Sequence, residues 1–243
     1  MTILMIVLAG CGARPGGNVL ASVTTKAADT KKVTVYAATT RARQAPGENV
    51  FTAARSPDLN YARFTMSIPP THQPANIEWP KGKPDPAKDF VVADQKILSA
   101  DGFGRDVDQQ TRPHKTIGVF VHGYNYSFQE ALFRLAQMSA DSDIDSVPIL
   151  FSWPSQGTLT GYVADREAVL YSRDYLQSML ISLSKDKSAD EILLFGHSMG
   201  GFLIMETLRQ LKMEGRDDVL ARLRVILAAP DIDADVFRTQ LEV

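Results

Sequence analysis

Glu191-Ile192-Leu193-Leu194-Phe195-Gly196-His197-Ser198-Met199-Gly200-Gly201 is the stretch on which the reading of this chain turns. Glu191 to Phe195 is a short, nearly continuous apolar run, as expected of a strand buried on both faces. From Met199 to Met213 the apolar residues recur at helical spacing. The turn between them must be tight. Such a turn forces Ser198 into a strained conformation that only small neighbours permit, and Gly196, Gly200 and Gly201 supply the room. Ser198 then projects its hydroxyl above the sheet, where the helix N-terminus offers free N–H groups and a partial positive charge to any oxyanion. The plain alternative is an N-cap serine beside a chance pair of glycines. The strand before it and the helix after it weigh against that.

Outward from this turn the chain alternates. Ile117 to Val121 reads as a buried strand. A helix follows from about Ser127, with Ser127 and Glu130 as a capping box and Phe128, Ala131, Leu135 and Met138 on one face. Val147 to Phe151 is the next strand, stopped at Trp153-Pro154, and a helix from roughly Arg166 to Ser184 carries Val169, Leu176, Leu180 and Leu183 inward. Arg224 to Ala228 reads as the last strand. Strands alternating with helices in this way give an α/β fold, a mostly parallel sheet flanked by helices. Lys26 to about Gly104 reads as irregular, with strand-like runs only at 32–37 and 64–68. Pro69, Pro70, Pro74, Pro80, Pro84 and Pro86 predict a long surface excursion there. Residues 31–114 are thus expected to add N-terminal strands and an excursion to a core at 115–243.

His122-Gly123-Tyr124 follows the first buried strand, where a second oxyanion donor belongs. The expected donors are the backbone N–H groups of Met199 and Tyr124, with Gly123 allowing the turn. His122 is expected to brace this loop rather than act as a base, and His197 to be a packed side chain. Trp153 reads equally well as a pocket wall or as core. Tyr162, Asp165, Arg166 and Arg173 read as a solvated helix face in preference to a polar network near the rim of the site. A serine nucleophile also needs an acid and a histidine, yet His72, His114, His122 and His197 all precede Ser198. Asp231 is the candidate acid and Asp233 the second, although capping the helix that begins at Ala234 suits both.

Val121-His122-Gly123-Tyr124-Asn125, Phe151-Ser152-Trp153-Pro154-Ser155, Tyr171-Ser172-Arg173-Asp174 and the turn at 196–201 together resemble a bacterial alpha/beta-hydrolase family, domain of unknown function nine hundred. The resemblance runs from about Lys115 to Val243. It implies the alpha/beta-hydrolase fold and a serine esterase or lipase-like activity on a small-molecule or lipid ester, without a settled substrate. Because the histidine is missing, the chain is expected to be truncated at its C-terminal strands. The alternative is a catalytically dead hydrolase fold serving as a binding or scaffolding module.

Leu8-Ala9-Gly10-Cys11 resembles the lipobox of bacterial lipoproteins. It predicts a signal peptide at 1–10, lipidation of Cys11, a tether at 11–30 and a place in the cell envelope, on the outer membrane facing the periplasm. No Lys or Arg precedes the apolar run, as a signal peptide would want. The lone cysteine excludes an internal disulfide. A net charge of -2 without a basic cluster argues against nucleic acid as a partner. No metal cluster, phosphate loop or dinucleotide fingerprint appears in the sequence, so no cofactor is expected.

Overall fold

A computed structural model describes residues 14–24, 30–142 and 144–242. Its strands are β1 (Lys31–Arg43), β2 (Phe51–Ile68), β3 (Val91–Leu98), β4 (Thr116–Val121), β5 (Val147–Ser152), β6 (Glu191–His197) and β7 (Leu223–Ala228). They form one seven-stranded sheet in the order β3-β2-β1-β5-β4-β6-β7. From β1 to β7 every neighbouring pair is parallel, while β2 runs antiparallel to both β1 and β3. The helices are α1 (Ala100–His114), α2 (Phe128–Asp141), α3 (Tyr162–Ser184), α4 (Met199–Met213), α5 (Asp217–Leu220) and α6 (Ala234–Leu241).

Helices lie on both faces of the sheet. Ile117, Val119 and Val121 of β4 pack with Phe103 and Val107 of α1, Leu176 and Leu180 of α3, and Leu203 of α4. Phe120, one step out of phase, faces the other layer, where Phe128, Leu132, Phe133 and Ala136 of α2 meet Val35, Phe64 and Leu150. Fully burying a Leu or Phe contributes about 1.5–3 kcal/mol. The capping box at the start of α2 is complete: the Ser127 hydroxyl accepts from Glu130 N–H and Glu130 accepts from Ser127 N–H.

The stretch read as irregular is the main correction. β1 and β2 form a long hairpin, β3 adds the edge, and α1 spans most of what remains before β4. β2 carries Arg55, Pro57, Asp58, Asn60 and Arg63 and pairs through register shifts near Arg41, so it shows no sustained alternation. α1 holds two glycines, a proline and only Phe103, Val107 and Thr111 as buried residues. The proline-rich connection between β2 and β3 does lie outside regular structure. α3 starts earlier than read, at Tyr162. Of the stretch expected to be a tether, residues 14–24 lie against the domain, with Leu20 buried and Gln129 donating to the Pro15 carbonyl. Cys11 lies outside the described residues.

From β4 the chain first crosses through α2 to β5 on one side, then through α3 to β6 on the other. At such a reversal the loops leaving the carboxyl ends of the two strands part, and ligand crevices form there. The loops after β4 and β6 meet at this point.

Candidate active site

Ser198 stands between β6 and α4 at φ 51°, ψ -123°. A non-glycine residue held there costs on the order of 1–3 kcal/mol and persists only if its surroundings fix it. They do so through the backbone. Ser198 N–H donates to Ala228 O at 3.0 Å, while Ser198 O accepts from Gly201 N–H at 2.9 Å and Asp231 N–H at 3.1 Å. The first turn of α4 lies against the end of β4. A Cβ at Gly200 would overlap Val121 O and sit 2.6 Å from His122 O, so only glycine fits. The loop after β4 is equally close, since a Cβ at Gly123 would lie 2.8 Å from His197 Nδ1 and 3.1 Å from Ser198 Cβ.

Two amides border this junction. Met199 N–H, at the start of α4, is one of the donors that a helix N-terminus leaves unsatisfied. Tyr124 N–H has no hydrogen-bond acceptor among the described residues. Beneath them His122 is fully buried, stacked on the Trp153 indole with centroids 4.9 Å apart. Its Nδ1 meets Gly123 O at 2.9 Å and its Nε2 meets Ser152 Oγ at 3.1 Å. Burial first, and the charge of Arg41 second, push the His122 pKa down to about 3, so the ring is neutral. A neutral ring with both nitrogens bonded elsewhere does not take a proton from Ser198.

Trp153, read as either wall or core, is wholly buried and donates its Nε1–H to His122 O at 2.8 Å. Asp165 does not belong to a solvated helix face. It is buried, accepting from Ser155 Oγ at 2.6 Å and Gln156 N–H at 2.7 Å. Tyr162 reaches Asp231, its hydroxyl donating to Oδ2 at 2.7 Å, and stands edge-on to the Tyr124 ring at 5.5 Å. The hydrogen bond to Asp231, with some burial, raises the pKa of the phenol. Arg166 lies over the Phe202 ring. Arg173 pairs with Asp174. Of the two candidate acids, Asp233 is the cap of α6, accepting from Asp235 and Val236 N–H, whereas Asp231 caps nothing and is tied to the Ser198 turn. The sequence put Asp231 first but offered helix capping as the alternative for both.

His197 is half-buried with its ring against Gly123, and the ring makes no hydrogen bond among the described residues. His72 is bonded to Glu78 and Asp141, and His114 to Asp145. None of the four histidines bonds Ser198 Oγ among the described residues. There, too, no group of three His, Cys, Asp or Glu side chains converges as metal ligands would. An apolar hollow lined by Gly118, Phe120, Leu193, Phe195 and Ile226 opens on the α2 face of the sheet, away from Ser198.

Residues that sequence reasoning passed over are Arg41 and Ser152. Arg41 Nε donates to Ser152 Oγ at 3.0 Å, and its other nitrogens donate to the carbonyls of Thr52, Ser155 and Tyr126 at 3.2, 3.1 and 2.8 Å. An arginine in a strand, 111 residues from Ser152 in the chain, gives no sequence signal of such a role.

Residues 100–243 match the family described as Alpha/beta hydrolase of unknown function (DUF900). An uncharacterized protein of Nostoc sp. is similar to the chain, 27% identical over 134 residues that cover 45% of this chain and 34% of that protein. The chain thus matches about a third of that relative's length. No solved structure matches.

Proposed function

Because this chain belongs to the alpha/beta-hydrolase family of unknown function that its residues 100–243 match, we propose that it is a serine hydrolase of carboxylic esters. Ser198 Oγ attacks the ester carbonyl, the oxyanion is held by Met199 and Tyr124 N–H, and the alcohol leaves a Ser198 acyl-enzyme for water to hydrolyse. Asp231 is the carboxylate that would orient a base. One observation carries the reading: a serine at φ 51° on a strand-to-helix turn, beside an amide at Tyr124 that has no acceptor among the described residues. A fluorophosphonate probe followed by peptide mass spectrometry tests it. An adduct on Ser198 that vanishes in Ser198→Ala supports the reading, and an unlabelled Ser198 sinks it.

One observation favours a second reading, a binding or scaffolding module on a hydrolase fold: no histidine is hydrogen-bonded to Ser198 Oγ among the described residues. A protonated serine is a weak nucleophile, although an oxyanion hole and binding alone can retain roughly 10³ to 10⁴ over water. Slow ester turnover that depends on Ser198 supports the enzyme. Its absence supports the module.

We also propose that Cys11 is acylated and holds the chain to the bacterial envelope, on the outer membrane facing the periplasm, so that substrates include lipid esters. The Leu8-Ala9-Gly10-Cys11 sequence supports this. Expression with radiolabelled palmitate should label the wild type and leave Cys11→Ala unlabelled. Equal labelling of both would discard the anchor.

A further inference from the structure

Arg41 is a guanidinium with 2% of its surface exposed, on β1, outside the segment that matches the family. A buried charge is costly and is kept only where it is hydrogen-bonded. Arg41 places four of its five N–H donors on protein acceptors, and it sits between two register shifts of the β1/β2 ladder, where irregular pairing re-aims a side chain. Burial lowers its pKa to about 9, with Asp165 and Glu130 opposing the fall. It therefore stays charged at neutral pH.

The Gly123 end of this chain of bonds allows only one role and the Arg41 end favours one, because a hydroxyl that accepts from a guanidinium is a better donor and a poorer acceptor of a second N–H. A guanidinium only donates, so Arg41 Nε–H gives to Ser152 Oγ. A carbonyl only accepts, so His122 Nδ1 must carry the ring proton it gives to Gly123 O. The neutral ring then has a bare Nε2, which accepts a hydrogen bond from the Ser152 hydroxyl. The chain reads Arg41 to Ser152 to His122 to Gly123 O without a mismatch. Gly123 O and Tyr124 N–H belong to one peptide group, and no peptide bond here is cis. In a trans peptide the two point in opposite directions. Holding Gly123 O against the buried ring therefore turns Tyr124 N–H away from it.

We infer that Arg41 is a positioning residue for the oxyanion hole, setting the His122 tautomer through Ser152 and thereby the orientation of the Gly123–Tyr124 peptide. The inference rests on the reading of Ser198 and Tyr124 given above and names a residue on β1 that the reaction needs without touching substrate. A structural role alone, buttressing the carbonyls of Tyr126 and Ser155, would leave the tautomer of His122 unaffected.

The experiment uses the full chain, labelled with ¹⁵N, as wild type, Arg41→Met, Ser152→Ala and the double variant. Ser152→Ala removes one hydroxyl and leaves the three carbonyl bonds of Arg41 in place, so it reports even if Arg41→Met folds poorly. Imidazole ¹⁵N shifts should show His122 protonated on Nδ1 in the wild type and mixed in each variant. The rate of fluorophosphonate labelling at Ser198 should fall about 10-fold or more, within the loss expected for a missing oxyanion donor. Because both residues act through one ring, the double variant should be no slower than the slower single variant. His122 protonated on Nε2 in the wild type, labelling unchanged in Ser152→Ala, or losses that add in the double variant would each overturn the inference. If the wild type does not label at all, the proposed hydrolase falls instead, and the tautomer of His122 in the variants still decides whether Arg41 sets it.

Discussion

The amide of Asp231 donates to the carbonyl of Ser198 at 3.1 Å, so the residues after β7 are bonded to the strained turn itself. Asp231 keeps its carboxylate for Tyr162, whose hydroxyl donates to it at 2.7 Å. Asp233, two positions on, spends its carboxylate on the first amides of α6.

Neighbouring aspartates should therefore behave differently. Asp231→Asn retains the backbone bond, so the fold should persist while Ser198-dependent ester turnover drops on the order of 10-fold, because the charged hydrogen bond that holds Tyr162 against the Tyr124 ring becomes a weaker neutral one. Asp233→Ala should cost about 1 kcal/mol as a lost helix cap, with little change in turnover. Thermal melts and p-nitrophenyl butyrate kinetics on both variants measure this. A reversed pattern would remove Asp231 from the site.

Gly200 is where a single methyl does most harm. In Gly200→Ala the added Cβ would meet His122 O at 2.6 Å and overlap Val121 O, both rigid backbone atoms. α4 must shift away from β4, at a cost of about 1–3 kcal/mol or more. Both the melting temperature and Ser198 labelling should fall. A variant as stable and reactive as the wild type would mean that the close approach of α4 to β4 is not needed.

Two histidines make opposite contributions to stability against pH. The folded pKa of His122 lies near 3, below the ordinary 6.5, so the unfolded chain binds the proton first as pH falls. Stability should be lost from about pH 6.5 toward 3, by roughly 1.4 kcal/mol per pH unit at most. His72 runs the other way. Burial disfavours its charged form, but hydrogen bonds to Glu78 and Asp141 outweigh burial and raise its pKa above 6.5. Its contribution is full below pH 6.5 and disappears as pH rises through the raised value. Melts across pH 3–9 should show His72→Gln removing the loss on the alkaline side while keeping the acid one. A wild type with a flat profile below pH 6.5 would contradict a buried, neutral His122.

The sequence was legible where one rule acts alone. Buried parallel strands such as Ile117 to Val121 are apolar on both faces and stand out, and the Ser127–Glu130 capping box marked the start of α2. β2 was hidden because its outer half is polar and interrupted by Pro57, its strand character coming from pairing with β1. Around the site, the small residues of the turn at Ser198 were readable because glycine there has a steric meaning. Ser152, Asp165 and Arg41 were not. Arg41 and Ser152 meet only through the parallel pairing of β1 with β5, and Asp165 only through the fold-back of the loop at Ser155 and Gln156 onto α3.

The central claim is that Ser198 is a nucleophile facing an oxyanion hole, and trapping the acyl group tests it most directly. The protein is mixed with p-nitrophenyl butyrate, quenched in acid, digested and analysed by mass spectrometry. With no histidine bonded to Ser198 among the described residues, deacylation should be slow enough for a butyryl group to accumulate on the peptide containing Ser198, and Ser198→Ala should release nitrophenol more slowly than the wild type and leave no adduct on that peptide. Butyryl on another residue, or nitrophenol release undiminished in Ser198→Ala, would contradict the account.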